Sequence, residues 1–330
     1  MRRPPPIELV KGELHVTGSG LFLDARRRSG CAFVSHAHGD HIARHDRTIA
    51  TEATVALMRQ RLGERVRGEA LPAAYRTPFG LGELTLELLP AGHVLGSAQL
   101  RVRRNGTALG YTGDLSLEPN AAAEAAEVMG CDVLVMESTF GLPRYVFPPK
   151  AEVLAAVRRF VDDALCDGAT PVLLAYSLGK AQEIQKYLGE LGYRLRAHAA
   201  VHVLNRVYQR LGVSLPNVRP LDHEGAARGE VVVAPPHLSR SAAVARIRPR
   251  RTAVLTGWAV DRSRVMWRGA DAAFPLSDHA DFPALVRYAR ASGAGRVYTL
   301  HGFAEELARA LRREGIRAQP LESARQLELW

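Results

Sequence analysis

Short apolar segments that end in a histidine or an acidic residue recur along the chain, and this pattern limits it to one class of fold. Residues 31–36 read CAFVSH, residues 109–114 read LGYTGD and residues 131–137 read CDVLVME. These segments have the length and apolar content of buried strands. Helical stretches alternate with them, which predicts an α/β protein with polar residues at the carboxyl ends of its strands.

The densest strand end is residues 35–45, SHAHGDHIARH, with four histidines and one aspartate. Because alternate residues of an extended chain share a face, His36 and His38 can reach one metal ion. After the chain turns, Asp40 and His41 can reach a second. Imidazole and carboxylate groups suit zinc or manganese, and a pair of such ions makes a hydroxide from water near neutral pH. The alternative is a polar loop whose histidines satisfy backbone groups.

Three further residues end predicted strands and are candidates for the remaining ligand positions. They are His93 in PAGHVLGSAQL, Asp114 in YTGDLS and His301 in TLHGF. Taken singly, each is more often a hydrogen-bonded histidine or a turn aspartate.

Composition narrows the class of protein. A chain of 330 residues suits one large or two medium domains. Its net charge of +10 favours a polyanionic partner, although an arginine-rich proteome gives the same excess. Three scattered cysteines fit a reduced cytosol and argue against a cysteine zinc site. Without an apolar run of membrane length, we expect a cytoplasmic protein that does not bind membranes.

A proline-rich stretch divides the chain. Residues 141–150, GLPRYVFPPK, hold three prolines and a glycine, which is typical of a domain boundary. Beyond it strands and helices alternate to about residue 275, as expected of a parallel sheet. The sequence therefore predicts domains at 1–145, 146–275 and 276–330, with the first and last forming one domain.

Two local patterns predict particular elements. Residues 51–62 form a helix in this interpretation, with Thr51 as its N-cap. Asn105 and Gly106 lie between two apolar segments, which indicates a tight β-hairpin.

Several short motifs occur in a fixed order: HxHxDH, AGHVLGSA, YTGD, MESTFG, SLGKAQE, LSDHAD and LHGF. Together they resemble the β-CASP nuclease branch of the metallo-β-lactamase fold, and the resemblance covers almost the whole chain. It implies a four-layer αββα sandwich with metals at one edge of its two sheets. It also implies a second α/β domain, the β-CASP cap, inserted after the EST motif.

The resemblance also implies a role for each motif residue. One zinc ion is held by His36, His38 and His93, and the other by Asp40, His41 and His301, with Asp114 bridging both. The catalytic residues are Asp40, Glu137 and His279, the last two acting as a general-acid pair. Asp24 matches the aspartate that orients the site, although the glycine that commonly follows it is missing.

The predicted cap offers an anion site. The segment AYSLGKAQE runs from a strand through Ser177 and Gly179 into a helix whose first turn carries Lys180. Backbone N–H groups, the helix dipole and an ammonium group would converge there on a phosphate of the substrate. Such a turn is also common in proteins that bind no phosphate.

The predicted reaction is phosphodiester hydrolysis by two metal ions, with a proton from a carboxylate-held histidine for the departing sugar oxygen. His301 favours RNA, because the RNA-processing members of the family commonly have histidine there. The compact length and short cap instead resemble bacterial ligase-associated DNA exonucleases, so we expect a DNA exonuclease in repair, working with DNA ligase and helicase partners. A small-molecule metallohydrolase and a non-catalytic scaffold are the alternatives.

Overall fold

The computed structural model describes residues 7–63, 68–221, 226, 228–261 and 270–321. These described residues form two compact units. The first unit is made of Met1–Pro119, Glu124–Tyr145 and His279–Trp330, and the second of Asn120–Ala123 and Val146–Asp278.

The first unit begins with a sheet of six strands in the order of the sequence. An N-terminal hairpin is antiparallel, and the strands from β3 onward are parallel to one another. The six strands are β1 (Ile7–Val10), β2 (Glu13–Val16), β3 (Leu21–Leu23), β4 (Cys31–Phe33), β5 (Arg47–Ala50) and β6 (Glu69–Pro72).

A sheet of seven strands completes the first unit. Its order is β19-β18-β11-β10-β9-β8-β7, and the neighbours β10, β11 and β18 are parallel. The strands are β7 (Phe79–Leu81), β8 (Leu84–Pro90), β9 (Ala98–Arg104), β10 (Thr107–Tyr111), β11 (Val133–Glu137), β18 (Arg296–Leu300) and β19 (Ala318–Pro320).

The two sheets share one hydrophobic core. Leu23, Phe33 and Ile49 of the first sheet are buried in the same cluster as Leu100 and Tyr111 of the second. The opposite face of the seven-stranded sheet is covered by two amphipathic helices in a separate cluster. The helices of this unit are α1 (Glu52–Leu62), α6 (Phe282–Ala291) and α7 (Ala304–Arg313).

The second unit is built on a parallel sheet of six strands. Both faces are buried, since Leu173 packs in one cluster and its neighbours Val172 and Leu174 in another. Such continuous apolar strands are typical of parallel sheets. In sheet order the strands are β14 (Val218–Pro220), β13 (Arg194–Ala197), β15 (Glu230–Ala234), β12 (Thr170–Leu174), β16 (Arg250–Leu255) and β17 (Ala272–Phe274).

Among its described residues the second unit has four α-helices: α2 (Lys150–Cys166), α3 (Lys180–Glu190), α4 (Ala199–Arg210) and α5 (Ala242–Ala245). Across the residues that the structure describes, in both units, no helix has the length and apolar character needed to cross a bilayer.

The local predictions are confirmed in three places. The hydroxyl of Thr51 accepts a hydrogen bond from the backbone N–H of Thr54 and caps α1. Asn105 and Gly106 have φ of 50° and 76° and join the antiparallel β9 and β10. The strand and helix alternation after residue 150 forms a parallel sheet, as expected.

One predicted strand is shorter than expected. Residues 31–36 were expected to form a strand that runs to His36, whereas β4 ends at Phe33. The reason is that the backbone N–H of Ser35 donates to the side chain of Asp24, at 2.6 Å, instead of to a neighbouring strand. The histidine cluster therefore lies wholly in the loop after β4.

Candidate metal centre

Strand ends of both sheets of the first unit supply the histidines and carboxylates of one cluster. The clustered histidines of residues 36–41 follow β4, and Asp114 follows β10. Glu137 is the last residue of β11, and His301 is the first residue after β18. Because β10, β11 and β18 are parallel neighbours, their carboxyl ends meet at one edge of the sheet.

Three imidazoles and one carboxylate form the tightest group of metal-binding side chains. Nδ1 of His38 lies 3.0 Å from Nε2 of His36 and 3.0 Å from Nε2 of His93. Oδ2 of Asp114 lies 3.4 Å from Nε2 of His36 and 3.6 Å from Nε2 of His93. Four ligands of a tetrahedral ion with bonds of about 2.0–2.1 Å stand at about this spacing. This donor set fits a divalent ion.

The hydrogen bonds around His36 favour the tautomer that has no proton on Nε2. The hydroxyl of Ser35 donates to Oδ2 of Asp24 at 2.5 Å, so its oxygen is free to accept from Nδ1 of His36, at 3.0 Å. With its proton on Nδ1, His36 turns the lone pair of Nε2 towards the cluster. Burial, together with the neighbouring histidines, lowers the pKa of His36 well below its ordinary value. The neutral imidazole that metals require is therefore the form this site favours.

A second, looser group lies on the other side of Asp114. Nε2 of His41 is 3.6 Å from Oδ2 of Asp114 and 3.8 Å from Oδ2 of Asp40. The ring of His301 is 5.9 Å from that of His41 between centroids. Asp114 thus faces both groups, while His301 stands farther from its expected co-ligands than His93 does.

Charges shape the protonation of this second group. Burial acts to lower the pKa of His41, but Asp114 and Asp24 outweigh it and raise that pKa to about 10. Burial raises the pKa of Asp114 to about 6, against the opposing effect of His41. Burial also acts to raise the pKa of Asp40, yet His41 and His38 outweigh it and the pKa is lowered.

Asp24 orients the group from behind. It lies just after β3 with a left-handed φ of 45° and is 9% exposed. Its carboxylate accepts from Nδ1 of His41 at 2.8 Å, from the hydroxyl of Tyr111 at 2.8 Å and from Ser35. The proton of His41 is therefore directed at Asp24, and Nε2 faces Asp114. Carboxylates placed behind ligating histidines hold them in this way.

The buried Glu137 and the partly buried His279 form a pair beside the cluster. Nδ1 of His279 lies 3.2 and 3.1 Å from the two carboxylate oxygens of Glu137, and Nε2 lies 4.0 Å from Oδ2 of Asp114. Burial acts to raise the pKa of Glu137, but the charge and hydrogen bond of His279 outweigh it and lower the pKa. The carboxylate is therefore ionised and holds the ring so that Nε2 points to the cluster.

Comparison with known proteins gives one long alignment. The chain is 42% identical over 318 residues to a protein of Opitutus terrae named "Probable DNA ligase", which covers 96% of this chain and 31% of that protein. It is 32% identical over 120 residues to an Acidianus ambivalens protein named "Uncharacterized protein in lig 3'region", covering 36% of this chain and 81% of that one.

A shorter alignment joins the chain to ribonucleases. It is 33% identical over 119 residues to the "Endoribonuclease YSH1" of Gibberella zeae, which is 35% of this chain and 14% of that protein. The chain belongs to the β-CASP nuclease family. It spans about a third of the Opitutus relative and a seventh of the Gibberella one.

Two further comparisons bear on the fold of this β-CASP chain. No protein-family model matches the sequence. A crystal structure of a protein of unknown function from Enterococcus faecalis V583 superposes with a TM-score of 0.63, covering 89% of this chain and 79% of that one. The identity is 12%, so the likeness concerns the mixed α/β fold alone.

The residues expected to bind phosphate in the cap of a β-CASP protein have other partners in the structure. Lys180 is 4% exposed, and its ammonium donates to the carboxylate of Asp278. Gly179 has a φ of 92° and its N–H donates to the side chain of Gln182. Phosphate binding by Ser177, Gly179 and Lys180 stays a prediction, and the ammonium is already engaged in an ion pair.

Sequence reasoning missed residues that support the centre of this β-CASP chain. Tyr111 and Ser35 donate to Asp24, and only the structure shows them meeting. Nε of Arg26 donates to the backbone carbonyl of Asp40 at 3.1 Å, and a guanidinium nitrogen of Arg61 lies beside the turn that precedes Asp40. Arg26 lies in the run DARRR, where charge alone does not select one of the three arginines.

Proposed function

We propose that this protein is a metal-dependent nuclease that hydrolyses DNA phosphodiester bonds and acts as an exonuclease in DNA repair. The observation that carries this proposal is the convergence on Asp114 in a β-CASP chain. Oδ2 of that residue lies within 3.4–4.0 Å of Nε2 of four histidines, which are His36, His41, His93 and His279. Hydrolytic two-metal sites use a bridging carboxylate between clusters of imidazoles.

We assign the two units to the family architecture. The first unit is the four-layer αββα domain, predicted at residues 1–145 and 276–330, and the second is the β-CASP cap, predicted at 146–275. The shared core of the two sheets and the helices over the second sheet support the layered arrangement. The parallel sheet of the second unit supports an inserted α/β cap.

Two divalent ions are assigned to the centre, with zinc favoured and manganese the alternative. His36, His38 and His93 would hold one, Asp40, His41 and His301 the other, and Asp114 would bridge them. Such ions supply Lewis-acid charge for the scissile phosphate and lower the pKa of a bound water. Asp24 accepts the proton on Nδ1 of His41, so Nε2 is the nitrogen that would reach an ion after losing its own proton.

Glu137 and His279 supply the proton for the leaving group. Nδ1–H of His279 donates to Glu137, so the remaining nitrogen, Nε2, faces the reacting edge of the cluster. A sugar oxygen departs poorly without a proton, and a histidine paired with a carboxylate can donate one at neutral pH. This pair is the general acid in our proposal.

DNA is favoured as substrate by the longest alignment. The relative that matches 96% of the chain is named for DNA ligase, whereas the relatives named endoribonuclease match about a third of it. The net charge of +10 suits either nucleic acid. RNA is the second candidate, supported by His301 and by the Endoribonuclease YSH1 alignment.

A DNA ligase is the partner we propose, together with a helicase as expected for ligase-associated exonucleases. The aligned region makes up 31% of the protein named "Probable DNA ligase", so a chain of this kind occurs beside other sequence in one polypeptide. Ligation assays on ends that carry an unpaired nucleotide should give more product when this protein is added. Unchanged yield with either strand polarity would remove the ligase from the proposal.

The deciding experiment is digestion of matched 5′- and 3′-labelled DNA and RNA strands with zinc or manganese. Wild-type protein should shorten DNA faster than RNA. Asp40→Ala and Asp114→Asn should lose about a thousandfold or more of this activity, as for loss of a metal ligand. Asp46→Asn is the matched control, because Asp46 is exposed and pairs with Arg28 outside the cluster.

Each outcome decides one part of the proposal. Cleavage of RNA alone would replace DNA by RNA as the substrate. Full activity in Asp40→Ala and Asp114→Asn would remove the metal centre. Turnover of a lactone without cleavage of either nucleic acid would make the protein a small-molecule hydrolase.

A further inference from the structure

The first residue of α3 carries an ion pair that the proposed chemistry does not use. The ammonium of Lys180 donates to Oδ1 of Asp278, and the two side chains are 5% and 1% exposed. Charges this deeply buried are tolerated when they are paired, and removal of one partner strands the other. The pair therefore binds the start of α3 firmly to the segment that ends at Asp278.

Hydrogen bonds within the second unit hold Lys180 in place. The N–H of Gly179 donates to Oε1 of Gln182 at 2.8 Å. Nε2 of Gln182 donates in turn to the carbonyl of Ser177 at 3.0 Å and to Oδ1 of Asn205 at 2.8 Å. The location of Lys180 is thus set by contacts within the second unit.

Asp278 is joined by one peptide bond to His279. Because Lys180 holds the side chain of Asp278, it restricts the backbone from which the imidazole of His279 extends. That imidazole must place Nδ1 against both oxygens of Glu137, at 3.2 and 3.1 Å. A displacement of about 1 Å at a catalytic group can cost about a hundredfold in rate.

We infer that Lys180 is a positioning residue for His279, acting through Asp278. The inference rests on the proposed function, in which His279 supplies the proton to the leaving oxygen. It replaces direct phosphate contact as the role of this lysine, because the ammonium that a phosphate would need already donates to the buried carboxylate of Asp278.

The first test compares kinetic constants on single-stranded DNA. Lys180→Met and Asp278→Asn should each lower kcat by about tenfold or more and change KM by less than about twofold. Lys186→Met is the matched control on the same helix, where Lys186 pairs with the half-exposed Glu190. A raised KM with normal kcat in Lys180→Met would mean a phosphate ligand and would overturn the inference.

A second substrate separates positioning from general damage. Bis(p-nitrophenyl) phosphate releases nitrophenolate, which is stable without a proton, so a general acid contributes little to its hydrolysis. Lys180→Met and Asp278→Asn should therefore lose much less of their turnover of this ester than of their turnover of DNA. If Lys180→Met loses the ester and DNA activities equally, the lysine supports the fold as a whole and the inference is wrong.

The tautomer of His279 gives a readout that does not depend on turnover. Nitrogen-15 NMR of histidine rings, with the His279 signals identified by their loss in His279→Ala, should show one fixed tautomer in wild type. Lys180→Met should average the two ring nitrogens. Unchanged His279 signals in that variant would contradict the inference.

The proposed function and this inference fail differently. Full DNA cleavage by His279→Ala would remove the general acid, and the inference with it. An inactive His279→Ala beside a fully active Lys180→Met would remove the inference alone. If Lys180→Met does not fold, the isosteric Asp278→Asn decides by the same criteria.

Discussion

Nδ1 of His279 lies 3.2 and 3.1 Å from the two carboxylate oxygens of Glu137. The carboxylate is 1% exposed, so this histidine is its main source of positive charge on that side. A ring fixed in this way has one tautomer and one direction for Nε2. The pair therefore behaves as a unit, and a change in either residue should appear in the other's function.

Replacing Glu137 by glutamine should lower kcat on DNA by about tenfold to a hundredfold with little effect on KM. The amide keeps the shape of the side chain but removes the charge that favours the protonated ring. Steady-state kinetics on a labelled single strand measures this loss. Glu127→Gln, whose carboxylate pairs with Arg76 at the surface, should behave as wild type. Equal kcat in Glu137→Gln would contradict the role of the carboxylate.

Tyr111→Phe tests the support behind the metal centre. The tyrosine is 1% exposed and donates to Oδ2 of Asp24, so the variant leaves that oxygen one hydrogen bond short. We expect about 1–2 kcal/mol lower unfolding free energy and weaker metal affinity by about tenfold. Urea titration and metal-competition assays give the two numbers. Tyr75→Phe, whose hydroxyl donates to the carbonyl of Ser97, should lower stability without changing metal affinity.

Arg26→Ala should weaken nucleic-acid binding without abolishing the chemistry. One guanidinium nitrogen of Arg26 is bound to the carbonyl of Asp40, and the group is exposed beside the metal centre. If it contacts a phosphate, its removal should raise KM and lower the slope of log binding constant against log salt by about 1. Binding measured at several salt concentrations checks this. An unchanged slope would assign Arg26 to the loop structure alone.

Glu183, in the second unit, provides a pH dependence of the free energy of unfolding. Burial raises the pKa of this carboxyl group above its ordinary value of 4.5, although Lys150 opposes the shift. A carboxyl whose pKa rises on folding stabilises the folded state below its unfolded pKa, and the effect is lost as pH rises through the folded value. Glu183→Gln, which does not titrate, should therefore gain stability relative to wild type as pH rises above 4.5.

Urea unfolding of both proteins across this pH range measures the difference. Glu152→Gln on the exposed face of α2 is the control for a surface glutamate. If the free energy of unfolding of wild type instead rises relative to that of Glu183→Gln as pH rises, the ion pair with Lys150 outweighs the cost of burial.

The sequence predicts that these histidines and carboxylates lie close together because each of them follows a predicted strand. His36, His38, His93 and Asp114 each follow an apolar segment, and the parallel neighbours β10 and β11 bring Asp114 and Glu137 to one edge of their sheet. The helix start at Thr51 and the hairpin at Asn105 follow local rules that need no tertiary contact.

The supporting residues were beyond sequence reasoning for a physical reason. Tyr111 lies 87 positions from Asp24, and Lys180 lies 98 positions from Asp278. Neither pair leaves a periodic or local signal, because each exists only once the chain has folded. The motif SLGKAQE predicts a phosphate site because the sequence does not show that the lysine at this helix start pairs with Asp278.

The carboxylate of Asp24 lies after a strand of the first sheet and accepts a hydrogen bond from Tyr111 of the second. Tyr111 also packs edge-on against Phe33, with ring centroids 6.3 Å apart. The same gap between the sheets therefore sets both the core packing and the aim of His41. A substitution such as Phe33→Leu should leave a protein that unfolds cooperatively on heating but hydrolyses nucleic acid slowly. A screen for thermal stability would accept such variants, whereas an activity assay would reject them.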